Sequence, residues 1–197
     1  MALGATGDAS NAFKIASATA ETLKGFGINM NYAPVADINS EPKNPVIGVR
    51  SPSDDPEIVG RFVSAQIKGL SKGGVVPCIK HFPGHGDTAV DSHYGLPVIT
   101  KSKAMLDRCE LVPFKRAVAE RVDAIMTAHI SMPGLAVSDE TTLQVLPASL
   151  NPDVIDILRS EMRYEGLIIS DCLEMDAVRS TYGTEKGAVM ALKVSTL

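Results

Sequence analysis

The stretch Lys80-His81-Phe82-Pro83-Gly84-His85-Gly86-Asp87-Thr88-Ala89-Val90-Asp91-Ser92-His93 holds three of the chain's four histidines, two aspartates and a lysine. Pro83, Gly84 and Gly86 permit a turn with unusual backbone angles, which can aim several side chains at one point. Three readings compete. In one, Asp91 orients His93 and raises its proton affinity, making an acid/base dyad near neutral pH. In another, His81, His85, His93 and an aspartate bind a metal, for which His/carboxylate sets suit zinc. In the third, the block is a polar loop with capping histidines; such clusters mark functional sites only statistically.

A second feature is Leu167-Ile168-Ile169-Ser170-Asp171-Cys172-Leu173-Glu174-Met175. An aspartate directly after a buried apolar strand is exposed at the strand's end, where it can act as a nucleophile or electrostatic stabiliser. It can equally cap the next helix, since aspartate is a favoured N-cap.

The elements that must position these residues are readable from periodicity. A helix is expected over 11–24, with Asp8 or Ser10 as its cap and Gly25 or Gly27 as its stop. A strand over 28–35 leads into Pro34-Val35-Ala36-Asp37, followed by an Asn- and Pro-rich loop over 39–56. Asp55-Pro56 opens a helix with apolar residues at Ile58, Val59, Phe62, Val63, Ile67 and Leu70, closed by Gly73-Gly74. A strand over 75–80, a largely helical stretch over 103–120 that Pro113 must start or kink, and a strand over 124–128 follow. Asn151-Pro152 opens a helix ending near Arg163, a strand spans 166–170, and Glu185 starts a further helix.

Short strands, apolar on both faces and separated by helices, indicate an α/β protein with a parallel sheet covered by helices. A doubly wound sheet and a (β/α)8 barrel both fit. An eight-unit barrel takes about 250 residues; four strand–helix units with long loops look like half of one. Asp37, the 80–93 block, His129 and Asp171 all follow strands, and in barrels that face carries the active site.

Composition narrows the partners. The chain has 197 residues, 45% hydrophobic and 21% charged, in the range of a folded globular domain. The net charge is −4 and basic residues are scattered, so neither nucleic acid nor an anionic membrane is an expected partner. Cys78, Cys109 and Cys172 are odd in number and widely spaced, which fits reduced thiols rather than a disulfide framework or a zinc knuckle. The first residues lack a basic segment followed by an apolar run, so no signal peptide is expected there, and the expected location is cytoplasmic.

The order of motifs resembles glycoside hydrolase family 3, in its β-N-acetylglucosaminidase branch. The resemblance rests on Lys80-His81-Phe82-Pro83-Gly84-His85-Gly86, then Asp91-Ser92-His93 after four residues. It is joined by Ala33-Pro34-Val35-Ala36-Asp37, Gly48-Val49-Arg50-Ser51, Thr127-Ala128-His129-Ile130, and Ser170-Asp171 with Met175 four residues on. Pro52 stands where the family usually has Phe.

This resemblance implies that residues 1–197 are part of the family's N-terminal catalytic domain, a (β/α)8 TIM-type barrel incomplete here. Asp171 would be the nucleophile of a retaining exo-β-N-acetylglucosaminidase, with His93 as acid/base and Asp91 as its partner. Arg50, Lys80, His81, His129 and Met175 would be substrate-binding, the first three gripping sugar hydroxyls. Asp37 would be a supporting carboxylate and His85 a structural residue. No metal and no cofactor are implied, and the partner would be a carbohydrate ending in β-linked N-acetylglucosamine. The acceptor, water or phosphate, is left open. The loop over 83–93 is expected to move and close over the sugar.

The family normally supplies three earlier strands, one ending in an Asp-x-Glu-Gly-Gly-like segment, and one later strand. None is readable here. The expectation is a chain that alone is marginally stable, inactive, or oligomeric through its open barrel edges. An inactive fragment or pseudoenzyme is therefore the alternative to an active hydrolase.

Overall fold

The computed structural model describes residues 1–88, 95–135 and 146–195. Its elements, in chain order, begin with α1 (Ala2–Ala5), α2 (Ala9–Gly25), β1 (Met30–Asn31), α3 (Pro56–Lys72) and β2 (Val76–Phe82). They continue with α4 (Lys103–Arg108), α5 (Val112–Ala119), β3 (Ala124–Thr127), α6 (Pro152–Asp156), β4 (Leu167–Ser170), α7 (Asp176–Tyr182) and α8 (Thr184–Ser195).

Caps fix several helix starts. The Asp8 carboxylate accepts from Ser10 N at the head of α2, and Asp55 accepts from Ile58 N at the head of α3, with Pro56 in its first turn. Asn151 accepts from Asp153 N to open α6, which continues as a single π-helical segment over Ile157–Glu161. The helical stretch expected over 103–120 is two helices. The chain breaks at Cys109, and Pro113 sits in the first turn of α5, where its missing N–H costs no hydrogen bond. Helix α7 escaped the periodicity reading, since it is only two turns long and lacks a side-chain cap.

The four strands lie in the order β1-β2-β3-β4, all parallel. Among the described residues they form a four-stranded part of a (β/α)8 TIM-type barrel, and the sheet is not closed. Ile79, Ile125 and Ile168 pair across the strands and face the helices. With Val59, Val63 and Ile67 of α3 and Phe114 and Ala117 of α5, they form the main core. The other face carries Cys78, Ala124 and Met126, flanked by Met30 and Ile169. Period-2 alternation thus splits each strand between two apolar environments, which is why the strands read as continuous apolar runs.

The strand expected over 28–35 is regular only over Met30–Asn31. Pro34 has no N–H to donate to a ladder. Pairing with β2 nevertheless continues irregularly: Cys78 N donates to Ala33 O and Lys80 N to Pro34 O, and Val35 bridges Lys80. This irregular edge carries the chain to Asp37 at the C-terminal end of the sheet.

Among the described residues, no helix is long and apolar enough to cross a membrane. Cys78, Cys109 and Cys172 are all free thiols.

Candidate active site

The register of β2 against β3 shifts at its end: Lys80 pairs with Met126, but Phe82 pairs with Thr127. His81 is the extra residue of this bulge. A bulge re-aims a side chain and is frequent beside active sites. Lys80 therefore continues the face of Cys78, Phe82 returns to the helix-packed core, and His81 is released toward the ends of its neighbours.

Asp37 is fully buried, yet it is completely committed. Its Oδ2 meets His81 Nδ1 at 2.7 Å, and its Oδ1 accepts from His81 N at 3.2 Å and His85 N at 2.7 Å. A carboxylate only accepts, so the His81 ring carries its hydrogen on Nδ1. The opposite ring edge, Nε2, lies 3.9 Å from Asp171 Oδ2. The three residues form a line from a buried carboxylate, through an imidazole, to the half-buried carboxylate after β4. Burial pushes the Asp37 carboxyl up, but the charges and hydrogen bonds of His81 and His85 outweigh it and hold it below the usual carboxylate range.

Asp171 itself is set by backbone. Its N–H donates to Thr127 O at 3.0 Å, extending the β3–β4 ladder by one residue, and its Oδ1 accepts from Cys172 N at 2.8 Å. It does not cap α7, whose N-cap is Met175. Met175 lies against a cavity of about 330 Å³ that is also lined by Asp171, Cys172, Glu174, Asp176 and Arg179. A larger cavity, about 860 Å³, lies at the opposite end of β3 and β4, lined by Arg121, Asp123, Tyr164 and Glu165 among others. It contains none of the site residues, and size does not select between the two; the clustering of titratable groups does.

His129 is buried on the next strand end. Its Nε2 donates to Cys172 O at 2.9 Å, so Nδ1 accepts the Ser149 hydroxyl at 2.6 Å. It braces the backbone beside Asp171 and does not contact the Asp171 carboxylate directly. Arg50 is exposed in the turn Gly48–Arg50, with Nη1 3.3 Å from Val46 O. Lys80 is half-buried. Burial lowers its pKa, the nearby Arg50 charge lowers it further, and Asp171 opposes both. Arg50, Lys80, His81 and Asp171 are therefore electrostatic neighbours. Asp91 and His93 lie outside the described residues. Among the described residues, no three His, Cys, Asp or Glu side chains are grouped to hold a metal ion.

Residues 83–88 are packed against their surroundings; residues 89–93, the rest of the loop expected to close over the sugar, lie outside the described residues. A β-carbon at Gly86 would come within 1.5 Å of Ile38 O, so glycine is needed there for close approach of two backbones. Asn44 Nδ2 donates to His85 O, while Asn44 Oδ1 accepts from Val46 N and Ile47 N. Asn44 and Ser149 were not singled out from sequence. Asn44-Pro45 carries the signal of an Asx turn; Ser149 carries none.

Burial lowers the pKa of both His85 and His129, against partial compensation from Asp37 and from the Cys172 carbonyl and Asp171 respectively. A histidine whose folded pKa is depressed binds fewer protons folded than unfolded between its two pKa values. Stability is then full above the unfolded value of about 6.5 and falls as pH drops below it. Thermal unfolding is expected at a lower temperature at pH 5.5 than at pH 7.5. The loss should be up to about 1.4 kcal/mol per histidine per pH unit. Calorimetry showing a flat profile over that range would contradict the burial of these rings in neutral form.

The parallel sheet, its helix-covered outer face and a polar cluster on the C-terminal strand ends define a TIM-type barrel protein with its chemistry at the barrel mouth. The chain belongs to glycosyl hydrolase family 3: the family's N-terminal domain matches residues 1–196. It is 40% identical over 188 residues to beta-hexosaminidase A of Pseudoalteromonas piscicida, covering 90% of this chain and 31% of that protein. It is 35% identical over 173 residues to a beta-hexosaminidase of Xylella fastidiosa, covering 87% and 49%. A solved family 3 beta-N-acetylglucosaminidase from Paenibacillus sp. str. FPU-7 superposes with a TM-score of 0.94 at 46% identity, covering 98% of this chain and 36% of that one. The chain thus spans between 31% and 49% of the length of these relatives.

Proposed function

We propose that this chain carries the catalytic face of a retaining exo-β-N-acetylglucosaminidase. The observation that carries the reading is the Asp171 carboxylate at the end of β4, 3.9 Å from His81 Nε2 and lining a cavity together with Met175. The names of its relatives, beta-hexosaminidase and beta-N-acetylglucosaminidase, supply the substrate class: a carbohydrate ending in β-linked N-acetylglucosamine.

In this mechanism an Asp171 oxygen attacks the anomeric carbon as the glycosidic C–O bond breaks, and His93, held by Asp91, gives its proton to the departing oxygen. Water then attacks the same carbon, its proton passes to His93, and the Asp171 ester bond is released. Two inversions leave the configuration retained. Lys80, His81 and Arg50 hold sugar hydroxyls, Met175 walls the cavity, and His129 fixes the backbone that presents Asp171. No metal or cofactor enters any step.

Among the described residues, the sheet is open at β1 and β4. That favours a second reading, an inactive fragment or pseudoenzyme that keeps the site residues without a complete pocket. A second copy of the chain docking on the open edges would be one way to complete it.

Incubation with 4-nitrophenyl N-acetyl-β-glucosaminide, followed by proton NMR, separates the readings. The expected result is release of 4-nitrophenol with β-N-acetylglucosamine as the first-formed anomer. First formation of the α anomer would overturn the covalent mechanism, and a folded chain with no turnover would favour the fragment reading.

A further inference from the structure

Below the loop that leaves β2, three charged side chains join two parts of the chain that are separate in sequence. Lys101 Nζ lies 2.9 Å from Asp87 Oδ2 and 2.6 Å from Glu110 Oε1. Glu110 is 1% exposed, in the turn between α4 and α5. Its Oε1 also accepts from Ser40 Oγ at 3.4 Å. Burial works against the Lys101 charge, but its hydrogen bonds and ion pairs with Glu110 and Asp87 outweigh this and hold the ammonium above the usual lysine range. A buried carboxylate that lost its cation would be strongly unfavourable, so Lys101 is the obligatory partner of Glu110.

The position of this cluster gives it a consequence for catalysis. Asp87 lies on the outgoing stem of the 89–94 segment, and Lys101 lies on the returning stem. The outgoing stem is held from one side by Glu41 N on Gly86 O and by Asn44 on His85 O. From the other it is pressed on Glu110: a β-carbon at Gly84, where φ is +126°, would come within 2.8 Å of Glu110 Cβ. The returning stem is held by Ser131, whose N–H donates to Pro97 O and whose carbonyl accepts from Ile99 N. Among the described residues, the Lys101 ammonium bridges the stems directly, seated on the buried Glu110 carboxylate.

We infer that the Asp87–Lys101–Glu110 cluster is a positioning device for acid/base catalysis: it fixes the spacing of the two stretches that flank, in the chain, the segment containing Asp91 and His93. Lys101 and Glu110 touch neither sugar nor reacting atoms; they act through the loop. This inference rests on the proposed role of His93. A purely structural ion cluster would affect stability without distinguishing one leaving group from another. A device that places a proton donor must affect the substrates that need the proton.

The test compares Lys101→Met and Lys101→Arg in the full chain on two aryl N-acetyl-β-glucosaminides. The 2,4-dinitrophenyl glycoside departs without protonation, and the phenyl glycoside needs it. In Lys101→Met, kcat/KM on the phenyl glycoside should fall on the order of 10–100-fold, since a misplaced group loses much of what acid catalysis contributes. On the dinitrophenyl glycoside it should stay within about twofold. Lys101→Arg should restore most of the loss. Amide hydrogen exchange across residues 88–100 should accelerate in Lys101→Met while α2 and α3 are unchanged. Equal losses on both glycosides would overturn the inference. For a chain without turnover, unchanged exchange across 88–100 would do so. His93→Ala is the control for the underlying reading. If it shows no leaving-group dependence, the role of His93 fails; if it shows one and Lys101→Met does not, only the positioning role fails.

Discussion

Asp171→Asn should abolish turnover of 4-nitrophenyl N-acetyl-β-glucosaminide while leaving the fold intact. The loss is expected on the order of 10⁴- to 10⁶-fold in kcat, the scale seen when a covalent nucleophile is removed and only binding and electrostatics remain. The amide is nearly isosteric with the carboxylate, and Asp171 is held mainly by backbone. Its N–H stays on Thr127 O, and the amide oxygen can still accept from Cys172 N. The unfolding temperature should therefore change little. Asp171→Gly opens a sharper test, because added azide can then fill the vacated space and attack the anomeric carbon directly. A single displacement inverts, so an α-glycosyl azide is expected. A β-glycosyl azide, or an Asp171→Asn variant retaining more than about a hundredth of the activity, would remove Asp171 from the nucleophile's role.

Asp37→Asn is expected to damage both stability and activity, though Asp37 is too deep to meet a sugar. The carboxylate accepts from two backbone N–H groups and the His81 ring. An amide has one accepting oxygen and turns an NH₂ toward at least one former donor. With hydrogen bonds to charged groups worth about 1.5–3 kcal/mol each and a buried unsatisfied donor costing about 1–3, a loss of about 2–4 kcal/mol is expected. Chemical denaturation should show it as a lower midpoint at unchanged slope. The effect on activity comes through His81. Without an acceptor at Nδ1 the ring is free to change tautomer or rotate, and the edge facing Asp171 is no longer fixed. Loss of a carboxylate that orients a catalytic histidine has cost about 10⁴-fold in a serine protease. Since His81 is one of several groups around Asp171, about 10²-fold or more is expected here. A variant as stable as the parent with a tenfold smaller effect on kcat than this would show that the line from Asp37 to Asp171 carries no function.

Much of this arrangement is legible in the sequence. Periodicity gave the alternation of helices with apolar strands, and the pattern of Asp55-Pro56 and of Asn151-Pro152 located two helix starts within a residue, because a capping carboxylate or amide followed by proline has few other uses. The positions of Asp37, Lys80, His81, His129 and Asp171 at or just beyond the ends of strands already placed them on one end of a parallel sheet. Less legible were the short β1, the break at Cys109 and helix α7. In each, a local backbone choice overrode a pattern that several conformations satisfy: proline on an edge, a turn inside a helical pattern, and two helical turns without a cap.

What the sequence by itself determined was composition-level and periodic: an α/β protein with a parallel sheet and a polar rim at its C-terminal end. Those depend on side-chain spacing along the chain, which the sequence holds directly. Which rim residues meet was decided only by tertiary structure. The bulge at His81 exists because β2 and β3 slip register after Lys80. His81 then lies between Asp37 and Asp171, residues 134 positions apart in the chain. Glu110, Ser149 and Asn44 became part of the site's support because the packing of the 83–88 loop and of the β3 end brought them there. A buried hydrogen bond is set by distance and direction across elements, and neither is written into the spacing of residues within one.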